Sequence, residues 1–316
     1  MNELDLLREW DADAPPLTDA VRTRVRFRLF QAMQAPTAPL SAAPTAIGRR
    51  PLLRIAVAAV AAAAVTATVV VAQNTGTSPH TQTVSAATVL RTAAAEERSH
   101  EMPIAPRDDQ FIYTKEIIEE TPVGGGRSRT YVDESWNSVD GSKKSYVSEL
   151  GHTQWVPPDQ PGQRIWPPRR WSQLKQLPTH PGRLPIALRD LVGKPDYGRP
   201  VTADEWPFVQ FYLSGLLRQA VLPKGLRPAA FEALATVPGV KVLPGRTDAG
   251  GRPGIGIQYI GPPGTPWADG GRVLVFDAKS YQYLGMRDQR SAGGKTYEQW
   301  SYVAVDAVVD RVMQRP

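Results

Sequence analysis

The chain has 316 residues, and its 37 Lys and Arg against 31 Asp and Glu give a net charge of only +6. A dedicated nucleic-acid binder concentrates positive charge more strongly, so we expect no nucleic-acid partner. The absence of Cys excludes disulfides, thiolate nucleophiles and Cys-based zinc sites, whereas 30 Pro and 26 Gly predict many turns.

Residues 1–50 form an Arg-rich segment that predicts a helix with one apolar stripe. The stripe residues recur every four positions, the spacing of one helix face: Leu17, Val21, Val25, Leu29 and Met33. Arg residues between positions 22 and 28 cover the other faces, and Pro36 ends the helix. The stretch 35–50, rich in Pro, Ala, Thr and Ser, predicts a flexible linker.

A helix of this kind docks its stripe on a protein partner or lies on the anionic inner leaflet, and the pattern favours neither. A short isolated helix is marginal in water, so the stripe favours docking over a solvated spacer. The predicted partner-binding residues are Val21, Arg22, Val25, Arg26 and Leu29.

A transmembrane helix is predicted at 53–72. Positions 55–72 read IAVAAVAAAAVTATVVVA, without a charged residue. With the preceding Leu pair, this run is long enough to cross a hydrocarbon core of about 30 Å. A cleaved signal peptide is the weaker interpretation, because its charged region is normally much shorter than the segment before this run. A buried Ala-rich helix would need a partner surface around its whole circumference.

The orientation of the span follows from its flanking charges. Arg49, Arg50 and Arg54 stand before it, whereas 73–90 contains no Lys or Arg. Because positive residues stay on the cytoplasmic side, the N-terminus is predicted inside and residues 73–316 outside. The lipid bilayer is therefore an expected partner, and we expect a single-pass protein of the cell membrane.

After a polar tether at 73–84, residues 85–316 predict an extracytoplasmic α+β domain, with antiparallel strands at both ends and helices between them. A helix is expected at 85–98, and a three-stranded meander follows at 111–120, 129–139 and 145–150. Residues 151–183 are expected to be largely irregular. Helices are then predicted at 171–177, 184–192, 205–220 and 228–237. Strands resume at 240–243, 254–260, 272–276, 281–287 and 299–309.

Motifs of known catalytic chemistry are missing from the chain. There is no GxSxG, Walker or zinc-protease motif, and no two of the four His share a helix face. Neighbours on a strand point to opposite faces, so Glu119 and Glu120 are not expected to act as a pair. We therefore expect no enzymatic activity, no cofactor and no metal site, although acid–base pairs can also assemble from distant positions.

Three Trp lie in a Pro- and Arg-rich stretch and form the candidate ligand loop: Trp155, Trp166 and Trp171. Aromatic rings in a rigid loop could stack on sugars or dock a peptide. The same composition suits Trp side chains that cover the core beneath an irregular loop, and we favour this interpretation.

Several short runs carry a resemblance to a known group. They read LDLLR at 4–8, PPL at 15–17, LATVPGV at 234–240 and FDAKSYQYLG at 276–285. The chain resembles, through these runs, actinobacterial single-pass membrane proteins of largely unknown function that are often encoded beside extracytoplasmic-function sigma factors. The resemblance implies an anti-sigma-like or sensor role and a cytoplasmic sigma factor as partner. The shared runs correspond to a helix, a turn and a strand pair, so no functional residue carries over.

These observations lead to three hypotheses. The first is a membrane-anchored regulator with an outer sensing domain and an inner partner-docking helix. The alternative is an envelope-binding module anchored by one span, and an extracytoplasmic enzyme is the least favoured.

Overall fold

The structure is a computed structural model that describes residues 84–160, 166–192, 198–263, 265, 267–292 and 294–316. Of these, 84–290 and 296–316 belong to one compact unit, and Ser291–Lys295, the tip of the last hairpin, falls outside it. The predicted inner segment, span and nearly all of the tether lie outside the described residues. Within the described part of the chain, no helix is long and apolar enough to cross a membrane.

The elements follow the predicted order of strands, helices and strands. The helices are α1 (Ala86–His100), α2 (Trp171–Leu174), α3 (Leu184–Val192), α4 (Trp206–Leu216) and α5 (Leu226–Leu234). The strands before the α2–α5 group are β1 (Phe111–Pro122), β2 (Arg129–Ser138), β3 (Ser145–Glu149) and β4 (His152–Val156). Those after it are β5 (Val240–Thr247), β6 (Pro253–Tyr259), β7 (Val273–Asp277), β8 (Tyr283–Ala292) and β9 (Lys295–Val309).

The N-terminal meander has four strands rather than the predicted three. Residues of β4 fall in the stretch that the sequence predicts as irregular, so that prediction was wrong for this segment. Four of the five β4 residues are exposed, which is typical of an edge strand. Such a strand lacks the apolar alternation that reveals a half-buried one, and composition alone therefore missed it.

The nine strands of the described residues form one sheet, in the order β4-β3-β2-β1-β9-β8-β7-β6-β5. The two meanders join where β1 pairs antiparallel with β9 along nearly its whole length, from Phe111 opposite Val309 to Pro122 opposite Tyr297. The first and last strands of the domain therefore lie side by side in the middle of the sheet. This pairing places the chain's most distant strands next to each other.

The helices pack on one face of the sheet, here called the inner face. Helix α1 begins at Ala86, and the Ser85 hydroxyl caps it by accepting a hydrogen bond from the Thr88 amide at 3.1 Å. The buried faces of α1, α4 and α5 meet apolar residues of β5–β8 in the main core, as Phe231 does with its ring centroid 5.3 Å from that of Phe276. The core therefore lies between the helix layer and the C-terminal half of the sheet.

The opposite, outer face is covered in part by the C-terminal tail. Tyr113 and Trp136 are buried there, and the Trp136 indole N–H donates to the Gln314 carbonyl at 2.6 Å. Arg315 lies over the Trp136 ring and forms a bidentate ion pair with Glu134 at 2.7 Å. The tail thus closes this face over the central strands.

Two irregularities shape the centre of the sheet. The register of β1 against β9 shifts between Lys115 and Glu116, which marks a β-bulge. At Gly285 on β8, φ is 144°, and a Cβ atom would lie 2.2 Å from the Ser301 carbonyl oxygen of β9. Only glycine permits this close approach of the two strands. Both irregularities lie next to the cleft described below.

A candidate ligand cleft between the helices and the sheet

A cleft of about 220 Å³ lies where the helix layer meets the central strands of the sheet. Its helical wall comes from α1, α5 and the turn after α4, and its sheet wall comes from β1, β8 and β9. Acidic, basic, aromatic and aliphatic side chains all contribute to this lining. The site is therefore a mixed polar pocket rather than an apolar groove.

Arg227 of α5 holds the helical wall together. One of its terminal nitrogens donates to the carbonyls of Gln219 and Ala220, at 2.8 and 2.7 Å, and its Nε lies 3.2 Å from a Glu97 carboxylate oxygen. The carbonyls of the turn that follows a helix lack intrahelical partners, and Arg227 satisfies them. Its charge and most of its donors are thus already used within the protein.

Glu97 lies on α1 and faces Arg227 across the cleft wall. Burial raises the pKa of Glu97, and the neighbouring Arg227 guanidinium opposes that rise. This behaviour is expected for a carboxylate that is partly removed from water but paired with one cation. Glu97 and Arg227 therefore form a neutral pair on the helical side.

Two further acids stand on the sheet wall without such a pair. Glu116 lies on β1 and Asp306 on β9, and both line the cleft. Among the described residues, neither carboxylate has a hydrogen-bond or ion-pair partner. Asp306 is an exposed residue; partial desolvation of its carboxyl raises its pKa, and the Arg227 guanidinium opposes that rise. The sheet wall therefore has an excess of negative charge.

Tyr283 of β8 also lines the cleft. Its ring lies 5.8 Å from Phe231 and 5.6 Å from Phe276, measured between centroids, which ties it to the main core. Burial raises the pKa of the Tyr283 hydroxyl well above its ordinary value. The hydroxyl has no hydrogen-bond partner among the residues that the structure describes, although buried phenols usually have one. It can therefore donate to or accept from a ligand.

The structure places the three Trp of the predicted ligand loop in different surroundings. Trp171 is buried in the core at 4% exposure, and Trp166 packs on Tyr212 with its indole N–H donating to the Tyr212 carbonyl at 3.1 Å. Trp155, on edge strand β4, is 55% exposed and packs against Tyr146. Of the three, Trp155 alone presents a largely exposed ring, and a ligand site in this loop stays a prediction.

The predicted partner-binding residues of the inner helix, Val21, Arg22, Val25, Arg26 and Leu29, lie outside the described residues. Their role stays a prediction as well. Across the described ranges, no group of three or more His, Asp or Glu side chains is arranged to hold a metal ion.

Sequence reasoning named none of the cleft residues as a site. The period of two along β1 places Glu116 and Glu120 on one face, and this was the only local signal. Glu120 is satisfied by Arg290 and Gln299, at 2.7 and 2.8 Å, whereas Glu116 has no such partner within the described ranges. The difference depends on which distant strands lie alongside β1, and the local sequence carries no information on that pairing.

The fold and the cleft define an α+β domain built on one antiparallel sheet with a small polar pocket. No protein-family model matches the chain, and no curated protein matches it. Among solved structures, it is similar to a LolA superfamily protein from Nitrosomonas europaea, with 10% identity over 73% of this chain and 96% of that one, at a TM-score of 0.16.

Two further solved structures show the same level of similarity. A DUF1329 family protein from Desulfovibrio piger is 11% identical over 72% of this chain and 93% of that one, at a TM-score of 0.18. A putative outer membrane lipoprotein-sorting protein domain from Vibrio parahaemolyticus is 9% identical over 72% and 93%, at a TM-score of 0.17. Scores of this size carry no conclusion about function, which has to be argued from the site itself.

Proposed function

We propose that this protein is an envelope-binding module: a domain held outside the cytoplasmic membrane by one span, which binds a small ligand in the cleft between its helices and its sheet. The anchoring is supported by the uncharged run at 55–72 and by the Arg residues before it. A binding role, rather than catalysis, is supported by the cleft.

One observation carries the binding role. Glu116, Asp306 and the Tyr283 hydroxyl all line one cleft, and none of them has a hydrogen-bond partner among the described residues. Polar groups that are partly removed from water destabilise a fold unless water or a ligand satisfies them. A concave site with convergent, unsatisfied polar groups and perturbed pKa values is a strong candidate for ligand binding.

The chain offers a clean test, because it contains no Cys and a single introduced thiol is the only reactive one. Val303→Cys places the thiol in the cleft lining, at a position that is 38% exposed, and Val123→Cys is the control outside the cleft, in the β1–β2 turn, at a position that is 55% exposed. Both variants are treated with a membrane-impermeant maleimide, first in intact cells and then as purified full-length protein in detergent micelles.

We expect both thiols to react in intact cells, because the domain is proposed to lie outside. Val303→Cys should react several-fold more slowly in cells than after purification, since an envelope ligand occupies the cleft, whereas Val123→Cys should react at similar rates. A lack of labelling of both variants until the cells are lysed would overturn the location. Equal rates for Val303→Cys in the two preparations would overturn the binding role.

A membrane-anchored regulator is the second candidate function, and the apolar stripe at 17–33 is the feature that supports it. If that stripe docks on a cytoplasmic partner such as a sigma factor, changing Val25 and Leu29 to Asp should abolish capture while membrane insertion stays intact. Burying two such side chains is worth roughly 3–6 kcal/mol, and a buried unpaired Asp adds a further cost. Capture by cross-linking that is equal for the wild type and the double variant would remove this candidate.

A further inference from the structure

The two outermost strands of the sheet differ in how their open edges are protected. An open edge can pair with another chain, and proteins block it with charged side chains, Pro or β-bulges. The β5 edge has all three, in Lys241, Pro244 and a register shift between Leu243 and Arg246. Strand β4 reads HTQWV and has no Lys, Arg, Asp, Glu or Pro, and its register against β3 is regular. The β4 edge is therefore open to pairing.

Two residues of β4 direct their backbone groups towards this open edge. The two residues of the β3–β4 turn have φ of 50° and 81°, typical of a type I′ turn, and the pair next to it, Glu149 and His152, exchanges both backbone hydrogen bonds. Hydrogen-bonded and non-hydrogen-bonded pairs alternate along antiparallel strands. The N–H and C=O of Thr153 and Trp155 therefore point away from β3, and β4 has no further strand beside it in the part of the sheet that the structure describes.

An aromatic ladder on the outer face of the sheet ends at the same edge. The rings of Tyr113, Trp136, Tyr146 and Trp155 lie on four adjacent strands, and neighbouring centroids are 5.0, 5.9 and 5.1 Å apart. The C-terminal tail covers the ladder at Trp136, whereas Trp155 is 55% exposed. A Trp ring at an open edge offers aromatic contact to an added strand. None of the β4 residues lines the cleft, so this edge is separate from the candidate ligand site.

We propose that β4 pairs antiparallel with β4 of a second copy of this chain, around a two-fold axis at Gln154. In this register, Thr153 of each copy lies opposite Trp155 of the other, and the outward backbone groups of both strands form four hydrogen bonds. Neighbouring registers form fewer. They set Thr153 opposite Pro157, which has no N–H, or Trp155 opposite Gly151 in the turn.

A second copy is the occupant that the strand itself favours. Like charges directly opposite each other destabilise a strand pair, and two β4 strands meet without any Lys, Arg, Asp or Glu. The two Trp155 rings become diagonal neighbours on the outer face, within reach of each other, and extend the aromatic ladder from one copy into the next. The contact uses the same edge of both copies, so it closes at two. The membrane anchor proposed above would hold the copies at a high effective concentration, which favours so short a ladder.

The chain has no Cys, so a single introduced thiol reports whether two copies meet at β4. In the proposed register Gln154 lies opposite Gln154 of the other copy as a non-hydrogen-bonded pair, with Cα atoms about 4.5 Å apart, a separation that a disulfide can span. His152 is the matched control, because it is exposed on the same face of the same strand but lies four residues along the strand from its own counterpart. Full-length Gln154→Cys and His152→Cys are oxidised with copper phenanthroline in intact cells, and dimers are measured on non-reducing gels.

We expect Gln154→Cys to form a disulfide-linked dimer several-fold faster than His152→Cys, whose rate measures random collisions. Adding Thr153→Pro removes an N–H that points to the open edge, so each copy keeps its own ladder hydrogen bonds. This change should slow dimer formation by Gln154→Cys about tenfold, since two hydrogen bonds between the copies are lost. Trp155→Lys, which places a charge on the edge and leaves the backbone unchanged, is a second variant and should also slow it.

The proposal would be overturned if Gln154→Cys forms no dimer, or forms it no faster than His152→Cys. It would also be overturned if neither Thr153→Pro nor Trp155→Lys lowers the rate. A cross-linked product whose mass is not twice that of the chain would assign the edge to a different protein and likewise exclude pairing between copies. None of these outcomes bears on the labelling of Val303→Cys, so the envelope-binding function is tested separately.

Discussion

Asp133 lies on β2, opposite Glu116 on the inner face of the sheet. The residue is buried, with 7% of its surface exposed. Its carboxylate accepts one hydrogen bond, from the Leu150 amide at 2.8 Å, and no cation pairs with it within the described ranges. Burial, reinforced by Glu149, Glu116 and Glu120, raises the pKa of Asp133 from an ordinary value of 3.8 to about 6. The folded protein therefore holds an unfavourable charge at neutral pH.

The sign of its effect on stability follows from linkage. The unfolded chain releases this proton near pH 3.8 and the folded chain near pH 6, so the folded state is favoured most below pH 3.8. That advantage is lost as the pH rises through about 6. A shift of roughly two pKa units corresponds to about 3 kcal/mol at most. Asp133→Asn keeps an oxygen for the Leu150 amide and removes the charge, so we expect it to stabilise the protein by about 1–3 kcal/mol at pH 7.5.

Thermal unfolding followed by Trp fluorescence tests this in full-length protein. For a domain of this size, we expect the melting temperature of Asp133→Asn to rise by about 3–8 °C at pH 7.5 and to match the wild type at pH 4. Asp108→Asn, at an exposed position, is the control and should change little at either pH. A stabilisation that is equal at both pH values, or a lower melting temperature at pH 7.5, would refute the reasoning.

Three further predictions follow from the core, the tail and the topology. Phe231→Ala removes a fully buried ring from the main core and should lower the free energy of unfolding, measured with denaturant, by about 3–5 kcal/mol. A decrease below about 1 kcal/mol would contradict the place of Phe231 in the core. Trp136→Phe removes the N–H that donates to the Gln314 carbonyl, so it should lower the free energy of unfolding by about 1–3 kcal/mol and expose the C-terminal tail to limited proteolysis. An unchanged cleavage pattern would argue that this hydrogen bond does not hold the tail on the sheet. A reporter that is active only outside the membrane should work when fused after Pro316 and fail when fused after Gln34, and the opposite pattern would reverse the predicted topology.

Local patterns in the sequence were enough to predict most of the secondary structure. The alternation in FIYTKEIIEE at 111–120 predicted β1, and α3 was predicted with the bounds that the structure has, Leu184–Val192. The strands on either side of the β7–β8 turn were also predicted, at 272–276 and 281–287, and the Asp277 carboxylate accepts from the Lys279 and Ser280 amides in that turn at 2.8 Å. These features depend on side-chain periodicity and turn chemistry within a few residues, which a single sequence displays directly.

The long-range arrangement was decided by the tertiary structure. The sequence indicated strands at both ends of the domain, but not that β1 and β9 pair and join them into one sheet. For Trp171 it favoured covering the core over a ligand loop, and the structure buries this residue. Burial depends on what packs against a residue, and for Trp171 the packing partners come from other parts of the chain.

The candidate site shows most clearly which features the local sequence determines and which the tertiary structure determines. Glu116 and Asp306 look like ordinary strand residues in the sequence, since each stands among alternating side chains with no motif around it. They line one cleft because β1 and β9 are neighbours, and neither has an ion-pair partner in the part of the chain that the structure describes, where Arg227 contacts Glu97 and the turn after α4. Local periodicity determines which face of a strand a side chain occupies, whereas only the packing of distant elements determines its neighbours and hence its charge balance.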